Sequence, residues 1–291
     1  MCVMDQKRAS RTAVFVCQGR AVADGRLAVR RFGDPIAARL LRPEELADVE
    51  LARSETNTSD WCRRLAVQAL RACAEVVVPR SVAIDDAVTA AANRQVVIVG
   101  AGLDSRPWRL DALPGATVVL VDHPASQADA RERSDGLAPI ARLERVAADL
   151  SRAGLDEALN GSHDRTEPTT WIWEGVVPYL TRPEVEATVA AIATRSAPGS
   201  VVIVAYQTPS LVGTVGRRLA RLAARIAKLD DPLADEPWRS LWSPVAMSGL
   251  LGRHGLRVRV DRSLLEVAAD IGSPTTHRRS IGSGRVVVAD A

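Results

Sequence analysis

Short apolar runs alternate with amphipathic segments through the middle of the chain. The runs lie near residues 95–99, 117–121, 143–148, 169–174 and 200–206. Helical patterns lie between them, of which Pro124–Ser134 and Arg182–Thr194 are examples. Strand patterns that alternate with helix patterns are typical of a parallel sheet, so the sequence predicts an α/β fold. Two further strand patterns follow, near 256–260 and at Arg285–Ala289.

The first quarter of the chain predicts helices. Apolar residues recur at three- and four-residue spacing after Ser10, a candidate N-cap, and again across Trp61–Val78. The next helix is expected to open at Pro79. Since no linker rich in glycine, serine and proline separates these helices from Pro79, we expect residues 1–78 to cap the sheet instead of forming a separate bundle.

The stretch before the last two strands differs from the rest. Residues 207–245 show no strand pattern and include the arginine-rich amphipathic segment Arg217–Ile226. We interpret that segment first as a helix that covers the sheet with a solvated basic face, and second as a lid over a substrate. The predicted single domain, 1–291, therefore consists of a helical cap (1–78), a cofactor-binding core (79–206), a lid or substrate region (207–245) and C-terminal core strands (246–291).

Two strand ends form the candidate ligand site. The run at 95–99 ends in Gly100 and Gly102, and the run at 117–121 ends in Asp122. In a doubly wound sheet these ends lie side by side where the strand order reverses, and glycine lets a ligand approach the backbone. The acid follows the glycine turn by about 20 residues, the spacing at which such folds bind ribose hydroxyls. Together these features favour a nucleoside pocket over a tight turn without a ligand.

The residues after the glycines distinguish between nucleosides. A dinucleotide site has a third glycine near the pyrophosphate, whereas this chain has Ser105 there, preceded by Asp104. An acid at this place suits a ligand that lacks phosphates and carries positive charge. S-adenosylmethionine fits, since it combines adenosine with a sulfonium and an ammonium group. A nicotinamide dinucleotide is disfavoured but stays an alternative.

Composition excludes several classes of partner. The formal charge is +3, and the arginines are scattered without a block that alternates with aromatic residues, so we expect no nucleic-acid partner. No stretch approaches about 18 consecutive apolar residues, so we expect no membrane span. The four cysteines form no C-x-x-C pair and have no histidine at metal-binding spacing. We therefore expect reduced thiols, no metal and a cytoplasmic protein.

Several blocks follow one another in a fixed order through the first two thirds of the chain. The two most specific are G-A-G-L-D-S-R at 100–106 and E-G-x-x-x-Y-L at 174–180. Shorter ones are Arg11–Ala13, Asp34–Pro35, Arg80–Ser81, Asp85–Asp86, Trp108–Leu110, Asp122–Pro124 and Asp149–Leu150. Together they resemble the leucine carboxyl methyltransferase family of class I S-adenosylmethionine-dependent methyltransferases, especially a bacterial branch expected to act on small molecules. The resemblance implies a Rossmann-like, seven-stranded, mostly parallel sheet with one antiparallel strand.

The resemblance implies roles at the amino-acid end of the cofactor. Arg80 is similar to the arginine that pairs with the methionine carboxylate, a task that suits a bidentate guanidinium. Glu174, at the end of the fourth strand, would face the cofactor's ammonium or the pocket floor. Tyr179 belongs to the E-G-x-x-x-Y-L block and is our candidate for a catalytic residue that lines the methyl pocket.

The resemblance also implies roles at the adenosine end. Gly100 and Gly102 would lie against the methionine and ribose portion, and Asp122 would take the ribose hydroxyls. Asp149 and Leu150 look like the pair that holds adenine: the acid accepts from the amino group and the leucine packs on the ring.

Methyl transfer from a sulfonium is an in-line displacement whose main demand is alignment, and it needs no metal. A carboxylate nucleophile needs no base, whereas a hydroxyl benefits from one. The sequence offers His123, His254 and His277 besides Tyr179, and none is assigned as a base.

The favoured function is O-methylation of a hydroxyl or carboxyl group on a small molecule, with S-adenosylhomocysteine as the second product. Three alternatives stay open. They are a carboxyl methyltransferase that acts on a protein C-terminus, a nicotinamide-dependent oxidoreductase, and a nucleoside-binding protein without catalysis.

Overall fold

The computed structural model describes residues 10–54, 60–150, 154–209 and 238–291. The arginine-rich segment Arg217–Ile226, and with it the predicted lid, lies outside the described residues.

Seven strands of the described residues form a single sheet. They are β1 (Gln95–Val99), β2 (Thr117–Asp122), β3 (Arg142–Ala147), β4 (Thr169–Trp173), β5 (Val201–Gln207), β6 (Arg257–Ser263) and β7 (Gly284–Asp290). Their order is β3-β2-β1-β4-β5-β7-β6, and β7 runs antiparallel to both of its neighbours while the other pairs are parallel. The predicted seven-stranded, mostly parallel sheet with one antiparallel strand is confirmed.

Helices precede the sheet and connect its strands. They are α1 (Arg11–Ala23), α2 (Pro43–Arg53), α3 (Trp61–Ala91), α4 (Arg106–Arg109), α5 (Pro124–Arg133), α6 (Leu155–Ala158), α7 (Arg182–Arg195), α8 (Pro244–Arg253), α9 (Leu264–Asp270) and α10 (Arg278–Ile281). Short 3₁₀ helices lie at Ala37–Leu40 and Val177–Tyr179. No helix of the described ranges has the length and apolar character that a membrane crossing requires.

Both faces of the sheet are buried, which explains why its central strands are apolar along their whole length. One face packs on α7 and α8 through residues such as Trp171 and Val204, and the other packs on α3 and α9 through residues such as Ile98 and Ile203. A third apolar cluster joins α1 and α2 to the first half of α3. The helices of the first quarter therefore have a small core of their own, and α3 connects it to the sheet.

The predicted helix boundary at Val78 and Pro79 is wrong. Helix α3 runs without interruption from Trp61 to Ala91, with Pro79 in its interior. A proline there removes one main-chain hydrogen bond, and the helix persists because Val77, Val78, Val82 and their neighbours are buried on both sides of it. Arg80 consequently lies in the middle of a long, anchored helix instead of in a first turn.

Candidate functional site

The carboxyl ends of four neighbouring strands carry most of the predicted site residues. Gly100 follows β1, Asp122 ends β2, Asp149 comes two residues after β3, and Glu174 follows β4. These strands are adjacent in the order β3-β2-β1-β4, and the chain's winding direction reverses between β1 and β4. Parallel α/β sheets bind their ligands at that kind of reversal, outside the carboxyl ends of the strands.

The turn after β1 depends on its glycines. Gly100 and Gly102 have φ angles of +70° and +51°, which side chains with a Cβ rarely adopt. The N–H groups of Gly100 and Ala101 both donate to the carbonyl of Val121, at 2.8 and 3.0 Å. A Cβ on Gly100 would lie 2.3 Å from Cγ2 of Val176. The turn is therefore fixed against β2 on one side and against the segment after β4 on the other.

We expect Gly100→Ala to lower the free energy of unfolding by more than about 2 kcal/mol, because it combines a strained φ with overlap at Val176. Gly161→Ala is the matched control: Gly161 has a φ of +86°, but no atom of the residues that the structure describes lies within 4 Å of its would-be Cβ, so the backbone strain applies without the overlap. Adding Val176→Ala to Gly100→Ala should recover the part of the lost unfolding free energy that comes from the overlap with Val176. Urea denaturation measures all three, and equal losses in the two single variants would contradict the packing argument.

Asp122 is bonded directly to the glycine turn. Its Oδ2 accepts the N–H of Gly102 at 2.5 Å, and its Oδ1 accepts the N–H of His123 at 2.6 Å. Burial raises the pKa of Asp122, and the two N–H groups oppose that rise. The structure thus brings the predicted glycine and acid together, with the carboxylate held by main-chain donors that leave it further lone pairs.

Three other predicted residues lie half-buried at the same edge. Asp149 and Leu150 follow β3, and the side chain of Leu150 packs on the apolar cluster of the α7 face. Tyr179 ends the 3₁₀ helix Val177–Tyr179, five residues after Glu174 in the chain. All three remain predictions as ligand contacts.

The other two predicted residues contact each other. Nε of Arg80, from α3, donates to Oε1 of Glu174 at 2.6 Å, and both side chains are about nine-tenths buried. Burial alone would raise the pKa of Glu174, but Arg106, Arg80 and Arg20 hold that pKa well below its usual range. Glu174 is therefore a carboxylate at neutral pH.

Arg80 and Glu174 belong to a continuous set of buried charges, the charge cluster, that joins the first helices to the carboxyl edge. Its members are Arg20, Arg80, Arg106, Arg109, Asp34, Asp85, Asp104 and Glu174. Four arginines and four carboxylates make the cluster formally neutral. Burying ions is costly unless each has partners, and here the ion pairs supply them.

The charge cluster corrects one sequence-based expectation. Asp104 was expected to suit a cationic ligand, yet its Oδ1 accepts the N–H of Arg106 and its Oδ2 pairs with Nη1 of the same residue at 2.5 Å. Ser105, at the place of the third glycine, donates its hydroxyl hydrogen to Oδ2 of buried Asp34 at 2.6 Å. Asp104 and Ser105 thus serve the cluster, whereas Asp122 lies outside it at this edge.

A pocket that the sequence did not predict lies beside Arg80, at the ends of β4 and β5 and the start of β7. Its lining includes Gly175, Pro178, Gln207, Tyr206 and Arg285. Tyr206 donates its hydroxyl hydrogen to Oδ2 of Asp261 at 2.6 Å, and Nε of Arg285 donates to Oδ1 of Asp261 at 2.9 Å. The available signal was a polar residue at the end of an apolar run: Tyr206 and Gln207 follow V-V-I-V-A, and Arg285 precedes V-V-V-A.

Two of the histidines that the sequence offered as bases have structural partners. His123 caps α5, where its Nδ1 accepts the N–H of Ala125 at 3.2 Å. His277 bonds buried Glu75 twice, through its N–H at 2.7 Å and through Nδ1 at 3.0 Å. Neither is among the residues that line the pocket beside Arg80. In the described part of the chain, no group of three or more potential ligands could hold a metal ion.

The leucine carboxyl methyltransferase family matches this chain over residues 13–193. A protein from Mycolicibacterium paratuberculosis, named "Putative S-adenosyl-L-methionine-dependent methyltransferase", is 31% identical over 259 residues, which cover 82% of this chain and 76% of the relative. A relative of the same name from Mycobacterium marinum is 31% identical over 192 residues, 62% of this chain, and the match spans only 60% of that relative's length.

A solved structure supports the fold. A DUF574 family protein from Streptomyces avermitilis superposes with a TM-score of 0.57 and 16% identity, over 97% of each chain. Identity at that level shows a shared architecture and no more. The family match covers well over half of the chain and includes both glycines, Asp122, Asp149 and Glu174. The chain therefore belongs to the leucine carboxyl methyltransferase family of S-adenosylmethionine-dependent methyltransferases.

Proposed function

We propose that the protein transfers a methyl group from S-adenosylmethionine to an oxygen of a small molecule, a hydroxyl or a carboxyl, without a metal. The observation that carries the proposal is the pocket beside Arg80, which lies next to the reversal point of the sheet. Arg80 contacts Glu174, and Glu174 lies at the same carboxyl edge of the sheet as Gly100 and Asp122. A donor and an acceptor could thus occupy adjacent places.

The residues present fit the cofactor. Arg80 uses only its Nε for a protein hydrogen bond among the described residues, so Nη1 and Nη2 are available for a carboxylate. Glu174 offers negative charge for the ammonium, and Asp122 offers lone pairs for ribose hydroxyls. We assign the ribose-facing surface to Gly100 and Gly102, where a Cβ would collide or crowd. Asp149 and Leu150 are assigned to adenine.

The cofactor supplies an activated methyl group on a sulfonium, so the protein's own work is to bind, orient and exclude water. Helix α3 fixes Arg80 and the charge cluster fixes Glu174, which together define where the amino-acid end lies. Alignment of this kind supplies about 7–11 kcal/mol in favourable systems. Tyr179 is assigned to the lining of the methyl pocket.

The acceptor pocket presents donors and no evident base. Gln207 and Arg285 line it, and burial together with the hydrogen bond to Asp261 raises the pKa of Tyr206, so that its phenol keeps its proton. Donors of this kind orient an oxygen that is already electron-rich, such as a carboxylate or an acidic hydroxyl. The lining of the pocket therefore supports an oxygen atom of this kind as the methyl acceptor.

The test is transfer of isotope-labelled methyl from S-adenosylmethionine to a panel of small carboxylic acids, phenols and alcohols. Mild base then separates the two chemistries, because a methyl ester releases methanol and a methyl ether does not. A peptide that ends in leucine belongs in the same panel, since the family takes its name from methyl transfer to a leucine carboxyl group. Transfer to the peptide alone, or tight cofactor binding with no transfer to any acceptor, would contradict the proposal.

Arg285 provides a prediction for the acceptor. Arg285→Gln should raise the KM for the acceptor about 10-fold and leave the Kd for S-adenosylhomocysteine unchanged, because one charge-assisted donor is lost from the pocket. The control is Arg257→Gln, which removes an exposed arginine from β6 whose ion-pair partner within the described residues is Asp290. An unchanged KM in Arg285→Gln, measured by initial rates, would remove Arg285 from the acceptor site.

We also propose a cytoplasmic location and an acceptor other than nucleic acid. The free thiols of Cys17, Cys62 and Cys73 support the first, and the scattered arginines support the second.

A further inference from the structure

Arg106 occupies the centre of the charge cluster. Its side chain is only 3% exposed, and its guanidinium contacts three carboxylates. Nε lies 2.6 Å from Oδ1 of Asp85, and Nη1 lies 2.5 Å from Oδ2 of Asp104 and 2.8 Å from Oε2 of Glu174. Burial alone would lower the pKa of Arg106, but these carboxylates raise it well above its usual value, so the group is permanently charged.

Glu174 is held between two arginines, one on each oxygen. Oε1 accepts from Arg80 and Oε2 accepts from Arg106. A carboxylate with both oxygens bonded has a fixed plane, and it still has about two of its four lone-pair sites for another donor. The orientation of Glu174, and through it that of Arg80, therefore depends on Arg106.

We propose that Arg106 is a positioning residue for the cofactor: it keeps Glu174 aimed at the ammonium group, and through Glu174 it keeps Arg80 in place for the carboxylate. This inference rests on the cofactor roles proposed for Arg80 and Glu174, and it is independent of the acceptor. Arg106 acts on the amino-acid end of the cofactor only. The adenosine end is bound by Asp122 and its neighbours, which lie outside the charge cluster.

A purely structural role for Arg106 predicts a different result, and Arg109 makes the distinction possible. Arg109 lies on the same short helix, α4, and is also almost fully buried. Its Nη1 pairs with Asp85 at 2.8 Å and its Nε donates to Ser105 at 3.1 Å, but it makes no bond to Glu174. Both arginines stabilise the cluster, and only Arg106 reaches Glu174.

The experiment compares two ligands by calorimetry. S-adenosylhomocysteine carries the amino-acid end, and 5′-methylthioadenosine has the same adenosine and sulfur without it. In Arg106→Gln we expect the ratio of the two Kd values to shift about 10-fold to 100-fold against S-adenosylhomocysteine. In Arg109→Gln the ratio should stay within about threefold of wild type, whatever the loss of thermal stability.

An Arg106→Gln ratio within threefold of wild type, or an equal shift in Arg109→Gln, would overturn the proposal. If Arg106→Gln does not fold, Arg106→Lys decides the question in the same assay. A lysine keeps the charge but cannot bond Asp85 and Glu174 at the same time as the forked guanidinium does. We therefore expect the ratio of the two Kd values to shift about fivefold or more in Arg106→Lys, and an unchanged ratio would contradict the proposal. The assay contains no acceptor, so failure of the O-methylation proposal would leave its result unaffected.

Discussion

Replacing Asp122 with alanine is expected to reduce the affinity for S-adenosylhomocysteine at least about 100-fold, since the two charge-assisted hydrogen bonds that we propose to ribose would be lost. The carboxylate lies at the end of β2, and its oxygens are held by the N–H groups of Gly102 and His123. Calorimetry with S-adenosylhomocysteine and with 5′-methylthioadenosine should show equal losses, because both ligands carry the ribose.

The same substitution has a structural cost that must be separated from binding. Alanine leaves the N–H groups of Gly102 and His123 without their carboxylate acceptor, and each such loss costs about 1–3 kcal/mol for a buried group. Asp122→Asn retains one carbonyl oxygen, which accepts one of these two N–H groups, and removes the negative charge, so it should recover part of the stability and little of the affinity. Wild-type affinity in a folded Asp122→Ala protein would show that the ribose lies elsewhere.

The sheet could be predicted because its signal is local. Each central strand is an apolar run of about five residues, and the observed bounds of β1 to β5 differ from the predicted ones by one residue or less at each end. The glycine turn and Asp122 were predictable for a related reason: both lie at strand ends, and the order of a doubly wound sheet then determines which ends meet. Their contact, 2.5 Å between Gly102 N and Asp122 Oδ2, follows from that order.

Predictions that rested on the usual behaviour of a single residue type were less accurate. Pro79 was interpreted as a helix start, because the sequence does not show that the valines on both sides of it are buried against other elements. Asp104 was interpreted as suited to a ligand that carries positive charge, because the sequence does not show which side chain its carboxylate contacts. In the folded chain the carboxylate of Asp104 forms an ion pair with Arg106, two residues away.

The charge cluster and the pocket beside Arg80 were not predicted because they join residues distant in sequence. Arg80 and Glu174 are 94 positions apart, and Tyr206 and Asp261 are 55 positions apart. Arginines and carboxylates are also the residues that composition assigns to solvated faces, so their burial gives no signal in one sequence. Only the packing of α3 against the sheet reveals which of the arginines are enclosed.

Replacing Arg80 with alanine should weaken S-adenosylhomocysteine about 100-fold or more and change 5′-methylthioadenosine by only a few-fold. The guanidinium has Glu174 as its protein partner in the described chain, so its remaining donors are the groups that we propose for binding the methionine carboxylate. Its removal also deprives Glu174 of one of two arginines, but Arg106 still holds Oε2, and the carboxylate stays ionised. The loss should therefore fall on the ligand that has an amino-acid end.

Two further variants, one at the next residue of α3 and one at Arg80 itself, make this result decisive. Ser81→Ala changes the next residue of α3, a buried serine whose hydroxyl has no hydrogen-bond partner among the described residues, so both affinities should remain at wild-type values. Arg80→Lys restores the charge without the fork and should recover part of the lost affinity. Equal weakening of the two ligands in Arg80→Ala would make Arg80 a structural residue of α3, and no weakening would leave the carboxylate to another cation. A selective loss would place the amino-acid end of the cofactor between α3 and the end of β4, directly beside the pocket proposed for the acceptor.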